Sequence, residues 1–309
     1  MTAKTLSSKR LSGIHPILYA YFNKNGGLDA GAMEAQVEHC IDAGAHGIVI
    51  LGVVTETAKL NVKERETLCR VVGQAVAGRV PLAATISEPS IAGQIEFANT
   101  AGELGSDWVI LQAPQVAGMS QGALVDFMGT VAGGIELPVG VQNNPINMAV
   151  SLTNDSLLSL IGQQENIKIL KADGTANSVV GLMNKFKDRI GVFGGQGGLE
   201  MLTQLRYGFD GIIPAPDCVA HQVRIYDLWK SGEPEARIEA ARLFGEIAPL
   251  IIYMTRDLNG HQLALGKQRV ANYLGQAYHG RQPCVAPALF AVDELQEIAG
   301  QINPFAFGE

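Results

Sequence analysis

The chain has 309 residues, 47% hydrophobic and 17% charged, a composition that supports a large buried core and excludes a disordered chain. Its formal net charge of −7, without a basic run, argues against nucleic acid or an anionic membrane surface as a partner. No apolar run approaches the roughly 20 residues of a membrane span, and the polar start from Met1 to Arg10 lacks a signal peptide's apolar stretch, so a cytoplasmic protein is expected.

Apolar runs predict strands near residues 13–20, 47–52, 81–86, 107–112, 138–142, 167–171, 190–194 and 210–214. Helical periodicity falls between and after them, near 29–42, 63–77, 89–104, 120–133, 154–163, 175–187, 197–206 and 218–230. Three junctions repeat one pattern, in which Gly44, Gly105 and Gly208 each read as a helix C-cap feeding a buried strand. Strict alternation with strands apolar throughout predicts an α/β fold, a (β/α)8 TIM barrel over residues 1–232. Residues 233–309 read as a C-terminal helical extension packed on the barrel, with helices from Pro234 through Met254, around Gln262 to Tyr278, and from Val292 to Ile302.

Catalytic groups of such a barrel come from the C-terminal strand ends and the loops that follow. After the second strand, Gly52 to Thr57 form a glycine-led loop that can turn backbone N–H groups toward one point, with the Thr55 hydroxyl beside Val54. That suits a carboxylate, and an ordinary turn capped by Thr55 fits the same residues. After the fifth strand the amides of Gln142, Asn143 and Asn144 crowd before Pro145; they can orient a substrate or a water, and turn chemistry accounts for the asparagines equally well. Gln142 stands ahead of the others as a pocket residue. The Gly194, Gly195, Gln196, Gly197, Gly198 run invites a phosphate reading, but no lysine or arginine lies between Ile190 and Leu205, so close backbone approach to a substrate without phosphate is expected. Ile213, ending the eighth strand, joins Val54, Gly195 and Asn143 as an expected substrate-binding residue.

The sixth strand carries the most chemistry. Alternation from Asn166 puts Ile167, Ile169 and Lys171 on one face, so an amine ends an apolar row where a pocket can hold it. Burial disfavours the charged form of an amine, and a neutral amine attacks a ketone to form a Schiff base. Asp173 is near enough to act as base or to pair with Lys171; equally, Asp173-Gly174 makes a good turn in which the aspartate caps the next helix. Cys40, Cys69, Cys218 and Cys284 are scattered without metal or disulfide spacing and read as buried thiols. No histidine stands at ligand spacing to them, so no metal is expected; the six histidines show no relay pattern, and His46 and His221 read as structural or surface residues.

Together these segments resemble the dihydrodipicolinate synthase/N-acetylneuraminate lyase family of Schiff-base barrels. Leu51 to Leu60 stands where the family has its G-T-T-G-E loop, Leu137 to Pro145 where a strand leads into Y-N-x-P, and Asn166 to Asp173 where it carries the Schiff-base lysine. The resemblance implies a homotetramer, no cofactor beyond the lysine itself, and a small-molecule 2-keto acid bound through Lys171. Gln142 replaces the tyrosine that relays protons in the aldolases, Val53 and Val54 replace the threonine pair, and Pro114-Gln115-Val116 lacks the family's tyrosine pair. The glutamine at the tyrosine position and the hydroxyl residue before the glutamate, here Thr55-Glu56, are similar to the 2-keto-3-deoxyarabonate dehydratase branch. The expected activity is therefore dehydration of a 2-keto-3-deoxy sugar acid, most plausibly L-2-keto-3-deoxyarabonate to 2-oxoglutarate semialdehyde. Lys171 serves as nucleophile, Asp173 or a water as base, Thr55 or a water assists hydroxyl departure, and Gln142 positions the iminium or a water. The alternatives are a pyruvate-releasing aldolase and a binding protein that has kept the barrel without turnover.

Overall fold

Polar residues set the helix starts. Asp29, Asn61, Ser90, Ser120 and Thr153 each accept a hydrogen bond from the backbone N–H three residues on, and Glu64 completes a capping box with Asn61. Each such cap stabilises its helix by about 1 kcal/mol. At the other ends, Gly44, Gly105 and Gly208 take φ of 82°, 111° and 89°, a region open to glycine without a Cβ clash. In each case the next N–H turns back to a carbonyl in the last helical turn, as from Ala45 to Cys40 at 3.0 Å.

The computed structural model describes residues 11–116, 118–186, 189–256, 261–284 and 289–302; the polar start at Met1–Arg10 lies outside them, as does Lys187 of the expected sixth helix. The strands are β1 (Gly13–Ile14), β2 (Ile48–Ile50), β3 (Leu82–Ile86), β4 (Trp108–Gln112), β5 (Val139–Asn143), β6 (Ile167–Ala172), β7 (Gly191–Gly194) and β8 (Gly211–Ile212). The helices that follow them in turn are α1 (Ala30–Asp42), α2 (Val62–Val76), α3 (Ile91–Glu103), α4 (Gln121–Gly133), α5 (Asn154–Gln163), α6 (Ala176–Phe186), α7 (Met201–Arg206) and α8 (Val219–Ser231). All strand pairs are parallel, in the order β1-β8-β7-β6-β5-β4-β3-β2, and a parallel bridge from Ile17 to Val49 closes the ring into a TIM barrel. Beyond it, α9 (Pro234–Thr255), α10 (His261–Tyr273) and α11 (Leu289–Gly300) share one continuous core with the barrel.

Several elements are shorter than expected, β2 and β8 among them, and three have a local cause. The expected strand at 13–20 keeps only two ladder residues because Pro16 has no N–H to offer, although Ile17 still donates to Pro214 and Leu18 to Val49. The seventh helix starts at Met201 because Gly197 and Gly198, at φ 63° and 85°, bend the chain into a 3₁₀ turn first. The tenth stops at Tyr273, where Gly275 at φ 66° lets Gln276 N–H close back on Ala271. Of the four cysteines, Cys40, Cys69 and Cys218 are buried and Cys284 is half-buried.

His15 sits inside the barrel, its ring edge-on to Trp108 and Phe193, in space left by the missing Cβ of Gly47. Burial lowers its pKa to about 4, against a hydrogen bond from Nε2 to the Ser12 carbonyl that works the other way. The unfolded chain therefore binds a proton that the folded chain does not between about pH 6.5 and 4. The stability from neutral His15 is full above that window and lost as pH falls through it. Chemical denaturation at pH 7 and pH 5 should reveal a loss of roughly 2 kcal/mol from this source. His15→Phe should lose less stability over the same interval, and equal losses in the two proteins would refute the assignment.

Candidate active site

The C-terminal ends of β4, β5 and β6 lie side by side, with Gln112, Gln142 and Lys171 paired across the sheet. Lys171 is only 4% exposed and Asp173 2%. The Lys171 ammonium donates to Asp173 Oδ2 at 2.7 Å, Gln142 Nε2 donates to the same oxygen at 2.6 Å, and Gln112 Nε2 donates to Gln142 Oε1 at 2.8 Å. The result is a buried chain of polar groups that ends on one carboxylate. Asp173 is thus paired with the lysine; the first N–H of α6, that of Ala176, is capped instead by Glu200 at 2.7 Å.

The carboxylate fits because of a glycine. A Cβ on Gly195 would lie 1.5 Å from Asp173 Oδ1, so the backbone after β7 is pressed against the side chain from β6. Gly195 therefore makes room for Asp173; it does not itself line the cavity above Lys171.

That cavity is walled by Lys171, Asp173 and Gln142 on one side and by Val53, Val54 and Ile213 on others. Val53 to Thr55 form a 3₁₀ turn, whose first N–H groups have no partner within the turn. The Thr55 N–H is used by the Gly52 carbonyl at 3.1 Å. The Thr55 side chain departs from its expected place: it is fully buried and its hydroxyl donates to the Leu18 carbonyl at 2.7 Å, tying the loop to the chain after β1. Asn143 also points elsewhere. Its amide pairs both ways with the Leu152 backbone at 2.9 Å, stapling the loop after β5, and Asn144 and Asn147 reach the cavity in its stead. Glu56, at φ 57°, is ion-paired with Lys59 and Lys267; burial alone would raise its pKa, and the two lysines outweigh it and hold the carboxyl below its ordinary range.

The rest of the wall contains groups that the sequence did not single out. Tyr19, after β1, and Asp217, after β8, meet with the phenol donating to Asp217 Oδ2 at 2.6 Å. Leu250, Ile251, Met254 and Thr255 of α9 complete the enclosure, so the C-terminal helices help to form the site. Among the described residues no three histidine, cysteine, aspartate or glutamate side chains gather as a metal site.

Comparison with known proteins gives this geometry a context. The model of the Dihydrodipicolinate synthetase family matches residues 10–283. The chain is 28% identical over 231 residues to the Probable 2-dehydro-3-deoxy-D-pentonate aldolase YjhH of Escherichia coli, covering 73% of this chain and 76% of that one. It is 27% identical over 260 residues to an L-2-keto-3-deoxyarabonate dehydratase of Azospirillum brasilense, covering 81% and 82%. The crystal structure of a dihydrodipicolinate synthase from Rhodopseudomonas palustris superimposes with a TM-score of 0.85 at 20% identity, over 94% of this chain and 97% of the other, which establishes the shared fold.

Proposed function

We propose, from the premise that this chain belongs to the Dihydrodipicolinate synthetase family, that it is a Schiff-base-forming lyase of the cytoplasm that dehydrates a 2-keto-3-deoxy sugar acid. L-2-keto-3-deoxyarabonate, giving 2-oxoglutarate semialdehyde, is the substrate we favour, and the similarity to the Azospirillum brasilense dehydratase supports it. The observation that carries the proposal is the Lys171–Asp173–Gln142 cluster in the wall of one cavity.

In this reading Asp173 accepts the proton of Lys171 across their 2.7 Å contact, and the freed amine attacks the C2 ketone. Loss of water leaves an iminium that acidifies the C3 protons. Asp173, having given its first proton to the water lost in forming the iminium, takes one of them and passes it to the C4 hydroxyl, which departs as water. A proton shift from C5 to C3 and enol-to-aldehyde tautomerisation give the semialdehyde, and water hydrolyses the iminium to free Lys171. Gln142 acts through Asp173: its amide donor is already bound to the carboxylate, so it holds the base in place and cannot itself take a proton. The N–H groups of Val53 and Val54 hold the substrate carboxylate, and Ile213 packs against its carbon chain. With carbonyl activation supplied by the lysine, the chemistry calls for neither metal nor cofactor.

The absence of a phenol at position 142 favours dehydration over carbon–carbon cleavage, since retro-aldol cleavage must remove the C4 hydroxyl proton and an amide cannot accept it. Incubation with a panel of 2-keto-3-deoxy acids tests this. The expected result is release of 2-oxoglutarate semialdehyde from 2-keto-3-deoxyarabonate, and borohydride added with pyruvate should fix mass on Lys171. Pyruvate as product would make the protein an aldolase, and failure to form any adduct would make it a binding protein. Light scattering on the same sample tests the homotetramer that is part of this proposal.

A further inference from the structure

The cavity has two polar poles, and the proposed chemistry uses one. Lys171 and Asp173 lie on β6 and just after it; Tyr19 and Asp217 follow β1 and β8, with β7 and β8 between β6 and β1 round the barrel. The second pole is built as firmly as the first. Gln36 of α1 pins the Tyr19 backbone by accepting from its N–H at 2.9 Å and donating to its carbonyl at 3.0 Å. Arg269 of α10 donates to the Asp217 carbonyl at 3.0 Å, fixing the turn that carries the carboxylate.

The hydrogen-bond direction decides what this pole can bind. Burial and the neighbouring Asp217 push the Tyr19 phenol well above its ordinary range, so it keeps its proton; burial raises the Asp217 carboxyl too, against the hydrogen bond from Tyr19 and the Arg269 charge, and in the observed contact the phenol donates to Asp217 Oδ2. What Tyr19 has left for a ligand is the lone pair of its oxygen, an acceptor. An alcohol can donate to it, whereas an ionised carboxylate, which only accepts, cannot. Among the described residues lining the cavity, Lys171 is the only lysine or arginine, and it is taken by the reacting carbon; Arg269 lies behind Asp217 and outside the lining, so a second carboxylate would meet no cation in the cavity wall at this end.

We propose that Tyr19, oriented by Asp217, accepts a hydrogen bond from a hydroxyl of the substrate remote from its keto carbon, and that this contact selects hydroxylated keto acids over keto dicarboxylates. The inference deepens the reading of the site as a keto-acid lyase and rests on it for the position of the keto carbon. Tyr19 is then a specificity-determining residue and Asp217 a positioning one.

Ligand-induced shifts in melting temperature of the full chain, titrated with 2-keto-3-deoxyarabonate, 2-oxoglutarate and pyruvate, read binding whether or not a covalent bond forms. The wild-type protein should half-saturate with the hydroxylated acid at a concentration at least about 10-fold below that needed for 2-oxoglutarate. Tyr19→Phe should weaken the hydroxylated acid by about 5-fold, the worth of one neutral hydrogen bond, and leave pyruvate unchanged. Asp217→Asn, which keeps an uncharged acceptor for Tyr19, should give a smaller loss of the same selectivity. Equal binding of the dicarboxylate, no stabilisation by the hydroxylated acid, or an equal loss for pyruvate in Tyr19→Phe would overturn the proposal; the wild-type comparison decides if that variant does not fold. Borohydride added to the same mixtures separates the two readings, because intact selectivity without an adduct on Lys171 sinks only the Schiff base.

Discussion

Lys171→Arg is expected to abolish turnover while leaving the fold in place. An arginine keeps the positive charge beside Asp173 and can satisfy that carboxylate, so the buried pair at 2.7 Å is replaced by another ion pair. It cannot become a nucleophile, because a guanidinium is not deprotonated in a protein. The rate should fall on the order of 10⁴-fold or more, as when the attacking group of a covalent mechanism is removed. The borohydride adduct should vanish with it, and melting temperature should change little. Lys171→Ala is the poorer test, since it strands a buried carboxylate at a cost of roughly 3–5 kcal/mol and confuses lost chemistry with lost stability. A Lys171→Arg protein that keeps activity within 10-fold of the wild type would end the covalent mechanism.

What was legible in the sequence is what local chemistry encodes. Gly44, Gly105 and Gly208 announced helix ends because a left-handed cap has few alternatives, and the apolar row ending in Lys171 announced a buried amine because a strand alternates its faces. Gln142 was legible for the same reason: it is the last buried residue of a short strand. Thr55 was misplaced because which way a hydroxyl turns in a 3₁₀ turn depends on what packs above it, here the Leu18 carbonyl 37 residues away. Asn143 was ambiguous between pocket and turn until Leu152 supplied the partners that fix it as a staple. Tyr19 and Asp217 were missed altogether. One lies in the apolar run from Ile17 to Phe22 and reads as core, the other follows a proline and reads as turn, and only closure of the barrel brings residues 198 positions apart together. Their one advance signal is a phenol, which needs a partner when buried, in a run otherwise apolar but for Tyr21.

Asp173→Asn should lower the rate by about 10²- to 10⁴-fold, the usual worth of a positioned base, while the variant still folds. The amide can accept from Lys171 and fill the same space, but it takes no proton from the amine or from carbon. Gly195→Ala supplies an independent route to the same loss. Its methyl would stand 1.5 Å from Asp173 Oδ1, so the carboxylate must swing away and surrender its contacts of 2.7 Å to Lys171 and 2.6 Å to Gln142. The φ of Gly195 is −127°, outside the left-handed region, so the effect comes through that contact. Because both substitutions act on one carboxylate, their effects should not add: in the double variant Gly195→Ala should cost little beyond Asp173→Asn. Measured kcat values for the two single variants and the double variant decide the matter. A Gly195→Ala protein with near wild-type kcat, or a double variant whose loss is the product of the singles, would mean that the position of Asp173 does not set the rate.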